Sequence, residues 1–86
     1  NQPSTASAGS CFKNPKNDYA GRLIEEVGLK GIMQGAMCFS EIHANFLVNN
    51  GGGTFEDAMI LIDTAKTKVY EKFGITLECE IGILNL

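Results

Sequence analysis

The chain has 86 residues, 44% of them hydrophobic and 20% charged, with a formal net charge of −3 at pH 7. That composition fits one small globular domain rather than a disordered chain, and the acidic balance argues against a general nucleic-acid-binding role. No run of about 18 apolar residues could cross a membrane, and Cys11, Cys38 and Cys79 form neither a CxxC pair nor a Cys/His cluster, so no membrane span and no metal site are expected.

An odd number of widely spaced cysteines predicts reduced thiols and a cytoplasmic setting. No signal peptide is expected, and the first residue is Asn1 rather than Met, as expected of a piece of a longer protein or a processed one.

Asn1 to Gly9 is polar and small and reads as an entry linker. A short strand is expected around Cys11 and Phe12, followed by a turn through Pro15, Lys16 and Asn17. Asp18 is placed to cap a helix over Tyr19 to Val27, with Leu23, Ile24 and Val27 on its apolar face and Glu25 and Glu26 outside. Gly28 is placed to end that helix in the left-handed conformation. Gly21 weakens the helix by about 1 kcal/mol relative to alanine, which a close packing neighbour or a ligand would explain. Arg22 is expected to pair with Glu26, four residues on.

Lys30-Gly31 reads as a turn, Ile32 to Phe39 as a strand bent near Gly35, Ser40 to Ala44 as a turn, and Phe46 to Val48 as a short strand. Asn49 to Gly53 is a flexible loop. The clearest helix starts at Thr54, whose hydroxyl is placed to cap it, with Asp57 at the third helical position. Phe55, Met59, Ile62, Ala65, Val69 and Phe73 recur at three- and four-residue steps as one core stripe, and Gly74 closes the helix. Ile75 to Leu84 reads as the last strand. Ile75, Leu77, Cys79, Ile81 and Ile83 share one of its faces, and Thr76, Glu78 and Glu80 the other. Two helices and about four short strands without strict βαβ alternation predict an α+β fold. Residues 1–86 would form a single domain, a small mixed or antiparallel sheet packed against two helices.

The chemical signal concentrates between Ser7 and Pro15. Gly9 allows close approach of a backbone or ligand, Cys11-Phe12 would fix where Ser10 points, and Pro15 restricts Asn14. Ser10 and Asn14 thus read either as side chains fixed at a site or as parts of a polar loop. On residue type alone, Glu80 reads as a solvated strand carboxylate, Lys30 as a turn cation and His43 as a structural histidine.

The string Ser7-Ala8-Gly9-Ser10-Cys11-Phe12-Lys13-Asn14-Pro15 resembles the serine motif that opens the C-terminal domain of the UDP-N-acetylenolpyruvoylglucosamine reductases, flavin enzymes of bacterial peptidoglycan synthesis. Three later strings resemble the same family in the same order. They are Ala20 to Glu26 with Gly28-Leu29-Lys30-Gly31, then Ser40 to Phe46, then Leu77-Glu78-Cys79-Glu80-Ile81. The resemblance implies a C-terminal, substrate-binding domain of an enzyme that uses NADPH and FAD to reduce a UDP-N-acetylglucosamine enolpyruvate. It implies that Ser10 is the proton donor and Glu80 a second catalytic group. It further implies that Asn14, Lys30 and His43 contact the nucleotide part of the substrate, with Lys13 adding charge. A hydride delivered to the enolpyruvyl C3 leaves enolate-like charge at C2 and the carboxylate. Hydrogen-bond donors stabilise such charge, and a glutamic acid kept protonated by desolvation is one of them. Serine is a poor acid and needs the enolate's basicity and close geometry.

In this family the FAD-holding region lies N-terminal and supplies a catalytic arginine, so the chain alone is expected to be inactive and to hold no FAD tightly. The chain departs from the family pattern at Gln34-Gly35-Ala36, where Gly-Gly-Ala is common, and at Met37-Cys38-Phe39. It also lacks the tyrosine-bearing insertion of one branch. A non-catalytic module with the same fold, binding a nucleotide sugar or another protein, is the alternative.

Overall fold

Residues 7–80 are described by the structure, a computed structural model. Strand β1 (Ser7–Ser10) leads to helix α1 (Ala20–Glu26), then to strands β2 (Met33–Gln34), β3 (Met37–Phe39) and β4 (Phe46–Asn49), and to helix α2 (Phe55–Phe73). The strands form one sheet in the order β1-β4-β3-β2, with every neighbouring pair antiparallel. The architecture is the expected α+β.

The sheet and α2 bury each other. Met37, Phe39 and Leu47 meet Leu61, Ile62 and Val69 of α2, and Leu23 and Ile24 of α1 join the same cluster. Full burial of each large side chain stabilises the fold by about 1.5–3 kcal/mol before cavity effects are counted. The buried stripe of α2 is Ala58, Leu61, Ile62, Ala65 and Val69. It is rotated from the expected one: Phe55 is 51% exposed, Met59 and Phe73 are only partly buried, and Ala58 and Leu61 take their place. A helix has several apolar faces when its composition is this rich, and the sheet's position selects one.

The segment Ile32 to Phe39 is a two-stranded hairpin, not one bent strand. Met33 pairs with Cys38 and Gln34 with Met37, so Gly35 and Ala36 form a two-residue turn. Gly35 has φ +58°, and a Cβ there would collide with the Asp57 carboxylate of α2. A hairpin reversal, with glycine required at its turn, thus replaces the expected bend.

The first strand starts earlier than expected, at Ser7 inside the apparent linker; the rest of that linker lies outside the described residues. Its Cys11-Phe12 continuation is fully buried and forms an antiparallel bridge between Phe12 and Cys79. From Ile75 to Glu80 the expected alternation holds, with Leu77 buried, Ile75 and Cys79 partly buried, and Thr76, Glu78 and Glu80 exposed, but the expected strand does not form there: the segment makes only the isolated Phe12–Cys79 bridge. The expected continuation through Ile81, Ile83 and Leu84 lies outside the described residues.

The two faces of the sheet differ. Leu47 and Phe39, paired across β4 and β3, are fully buried on the helix side. Phe46 and Val48 alternate with Leu47 and so point to the other face, which Cys38 and Met33 share through direct cross-strand pairing. On that side Met33 is 58% exposed.

Candidate functional site

Ser10 stands at the end of β1 and gains its position from an irregular register. Ser7 pairs with Val48 but Ser10 with Phe46, so β1 spends three steps where β4 spends two. One extra residue in a strand re-aims the side chains beyond it. Here it sets Ser10 directly opposite Phe46, on the sheet face away from α2.

Beyond Ser10 the chain is fixed from both sides. Cys11 N–H donates to the Asn45 carbonyl at 2.7 Å. Phe12 N–H donates to Asn45 Oδ1 at 3.0 Å, and Asn45 Nδ2 donates back to the Phe12 carbonyl at 2.9 Å. On the opposite edge Glu80 N–H donates to the Cys11 carbonyl at 2.9 Å and Lys13 N–H to the Glu78 carbonyl at 2.8 Å. The backbone of Glu80 thus lies beside the residue that follows Ser10, although the two candidates come from opposite ends of the sequence.

His43 belongs to the compact loop between β3 and β4. Ser40 Oγ accepts the N–H groups of Ile42 at 3.0 Å and His43 at 3.1 Å. Ser40 N–H donates to the Phe46 carbonyl, and Phe46 N–H to the His43 carbonyl, both at 2.8 Å. This closure sets the His43 ring 5.4 Å from the ring of Phe46, the residue opposite Ser10. Near the end of β1 the structure thus brings together the backbones of Ser10 and Glu80, through Cys11, and the His43 ring, through Phe46.

Asn14 and Lys30 stand further out. Asn14 Oδ1 accepts the Ala20 N–H at 2.9 Å, at the start of α1. A cleft of about 280 Å³ beside it is lined by Lys13, Asn14, Pro15, Lys16, Thr76 and Glu78. Lys30 Nζ lies 3.8 Å from Glu25 Oε1, and its side chain is 35% exposed. The next residue, Gly31, has φ +79°, and a Cβ there would sit 2.9 Å from Glu41 Cγ, so the Lys30 turn leans on the loop that holds His43.

Two expectations about α1 are corrected. Asp18 is not its cap: the N-cap residue is Tyr19, with no side-chain cap bond, and the helix runs from Ala20 to Glu26. Arg22 pairs with Asp18 rather than Glu26. Its Nε and Nη2 donate to the two Asp18 carboxylate oxygens at 2.8 and 2.6 Å. Those bonds, with one from Tyr19 N–H, hold the Asp18 carboxyl down at about 2. Glu26 lies instead 4.0 Å from Lys72 of α2. A Cβ on Gly21 would make only ordinary contacts with Asn45, the nearest at 3.7 Å, so crowding does not demand glycine there.

All three cysteines are free. Burial, with the nearby Cys79 thiol, pushes Cys11 up to about 12, which keeps it a neutral core side chain and not a nucleophile. Among the described residues no group of three metal-ligating side chains occurs, and no helix is long and apolar enough to cross a membrane. Asn45 is the site residue that sequence reasoning passed over. The available signal was an amide between Ala44 and Phe46 at the entry to an apolar strand.

The model of the family "UDP-N-acetylenolpyruvoylglucosamine reductase, C-terminal domain" matches residues 2–84. The chain belongs to that family. It is 62% identical over 85 residues to the UDP-N-acetylenolpyruvoylglucosamine reductase of Helicobacter hepaticus, spanning 99% of this chain and 32% of that protein. To the enzyme of the same name from Campylobacter jejuni it is 61% identical, spanning 98% of the chain and 33% of the relative. Its fold matches the crystal structure of UDP-N-acetylenolpyruvylglucosamine reductase from Thermus caldophilus with a TM-score of 0.69 and 43% identity, over 86% of this chain and 26% of that one. The chain thus spans about a third of the length of the curated reductases it matches.

Proposed function

We propose that residues 1–86 are the substrate-binding domain of a longer, cytoplasmic UDP-N-acetylenolpyruvoylglucosamine reductase, in which Ser10 and Glu80 act at the reacting carbons. The observation that carries the reading is the pairing of Cys11 to Lys13 with Glu78 to Glu80, which joins the two candidate groups through one short ladder. In this reading a reduced flavin, itself reduced by NADPH and held by the part of the enzyme outside this chain, supplies hydride to the enolpyruvyl group.

In the glycine-rich loop before α2, Gly51 and Gly53 N–H are both bonded to Asn49 Oδ1 at 2.9 and 3.0 Å, which supports placing the flavin's phosphates in the rest of the enzyme. The contribution of this chain is therefore the handling of charge and protons. Ser10 Oγ–H donates to the substrate's C2 as electron density builds there, and Glu80, exposed in this chain, serves as a hydrogen-bond donor to the developing charge once the substrate and the rest of the enzyme enclose it and keep its carboxyl protonated. Lys30 and the Nδ2 amide of Asn14 serve the anionic nucleotide part, and His43 offers it a hydrogen bond from the loop beside Ser10.

Ser10→Ala in the full-length enzyme tests this. Reoxidation of the reduced flavin by the enolpyruvyl substrate should slow by about 10²–10⁴-fold, the usual contribution of a positioned proton donor, with flavin reduction by NADPH unchanged. Reoxidation at the parental rate would remove Ser10 from the chemistry. The isolated 86-residue chain should purify colourless; a yellow, flavin-loaded product would overturn the assignment of the flavin to the rest of the enzyme.

A further inference from the structure

The side chain of Asn45 does what a strand residue would do. Cys11 and Phe12 are 0% and 1% exposed, so their backbone groups have no water and require partners. The β1–β4 pairing ends at Ser10 and Phe46. Asn45, in the turn before β4, gives its own carbonyl to Cys11 N–H. Its side-chain amide, an acceptor and a donor spaced like a peptide group, then takes Phe12 N–H at 3.0 Å and gives Nδ2–H to the Phe12 carbonyl at 2.9 Å. The ladder is thereby prolonged by one residue through a side chain. The other edge of the same segment is already held by Glu80 N–H and the Glu78 carbonyl.

We infer that Asn45 is a positioning residue that fixes the reach of Ser10 by locking the two residues after it against the loop that carries His43. The inference rests on the reading of Ser10 as proton donor. Asparagine suits the task because it both accepts and donates. Aspartate keeps the acceptor but faces the Phe12 carbonyl with a second oxygen, and alanine leaves both buried backbone groups without a partner. A shift of about 1 Å in a reacting group can cost about 10²-fold in rate, so loosening this segment should be felt at the proton-transfer step.

The test uses the full-length, flavin-loaded enzyme with Asn45→Ala and, in case that variant folds poorly, the near-isosteric Asn45→Asp. NADPH-driven flavin reduction is timed separately from flavin reoxidation by the enolpyruvyl substrate. Reoxidation should slow by about 10–100-fold in both variants, with reduction within about twofold of the parent. The double variant Ser10→Ala/Asn45→Ala should be no slower than Ser10→Ala alone, because the amide acts through the serine. Parental reoxidation in the Asn45 variants, equal slowing of both half-reactions, or full additivity in the double variant would each overturn the inference. If Ser10→Ala itself reoxidises normally, the Ser10 reading falls first; if Ser10→Ala is slow and the Asn45 variants are not, only the positioning role falls.

Discussion

Helix α2 runs for 19 residues and closes its own ends: Thr54 Oγ1 accepts the Asp57 N–H at the start, and Gly74 turns left-handed at φ +69° after the finish. Helix α1 runs for seven residues, and its N-cap Tyr19 makes no side-chain cap bond. The acceptor for its Ala20 N–H comes from Asn14, in the segment that follows the candidate serine. A helix of α2's length can partly sustain itself, whereas one of two turns cannot. The longer helix is scaffold with its own signals. The shorter one is held by the site region, so the site region and α1 should respond together.

That difference can be broken or sharpened experimentally. The largest effect should come from the shared core. Ile62→Ala, at a position 1% exposed, should cost about 2–5 kcal/mol in urea denaturation and weaken both helices alike. Asn14→Ala should cost about 1–2 kcal/mol and speed amide exchange at Ala20 while leaving the start of α2 protected. Unchanged exchange at Ala20 would mean that α1 does not depend on Asn14. Thr54→Ala should cost about 1 kcal/mol and speed exchange at Asp57 alone. Peptides carry the contrast further: circular dichroism should detect partial helicity in residues 54–74 and none in residues 18–28. The smallest effect belongs to the exposed Asp18–Arg22 pair. The carboxyl is held at about 2 against an ordinary 3.8, so the pair's contribution is complete above about pH 4 and is lost as pH falls towards 2. The stability gap between the parent and Asp18→Asn should close over that window; a gap that persists at pH 2 would show that charge pairing is not its source.

The same contrast explains what was readable. Thr54 and Gly74 act on their own neighbours, and their roles followed from sequence. The cap of α1 did not follow, because Asp18 is the right residue type in the right place and is engaged by Arg22 and Tyr19 instead. The α2 stripe was legible as a stripe but not as the face that packs. At the site, Lys30, His43 and Glu80 were singled out only through family resemblance, while Ser10 and Asn14 already stood out beside Gly9 and Pro15 without a decided role. Residue type alone left Lys30, His43 and Glu80 with ordinary structural readings.

By itself the sequence determined the fold class, the long helix with both of its ends, the alternation of burial from Ile75 to Glu80 and the family. All of these rest on local spacing or on contiguous motifs. Tertiary structure alone decided the hairpin at Gly35, the irregular register that puts Ser10 opposite Phe46, the bridge that draws Glu80 alongside, and the Asn45 clamp. Each of these joins residues far apart in the chain, and buried backbone groups accept whichever partner the packed fold delivers to them.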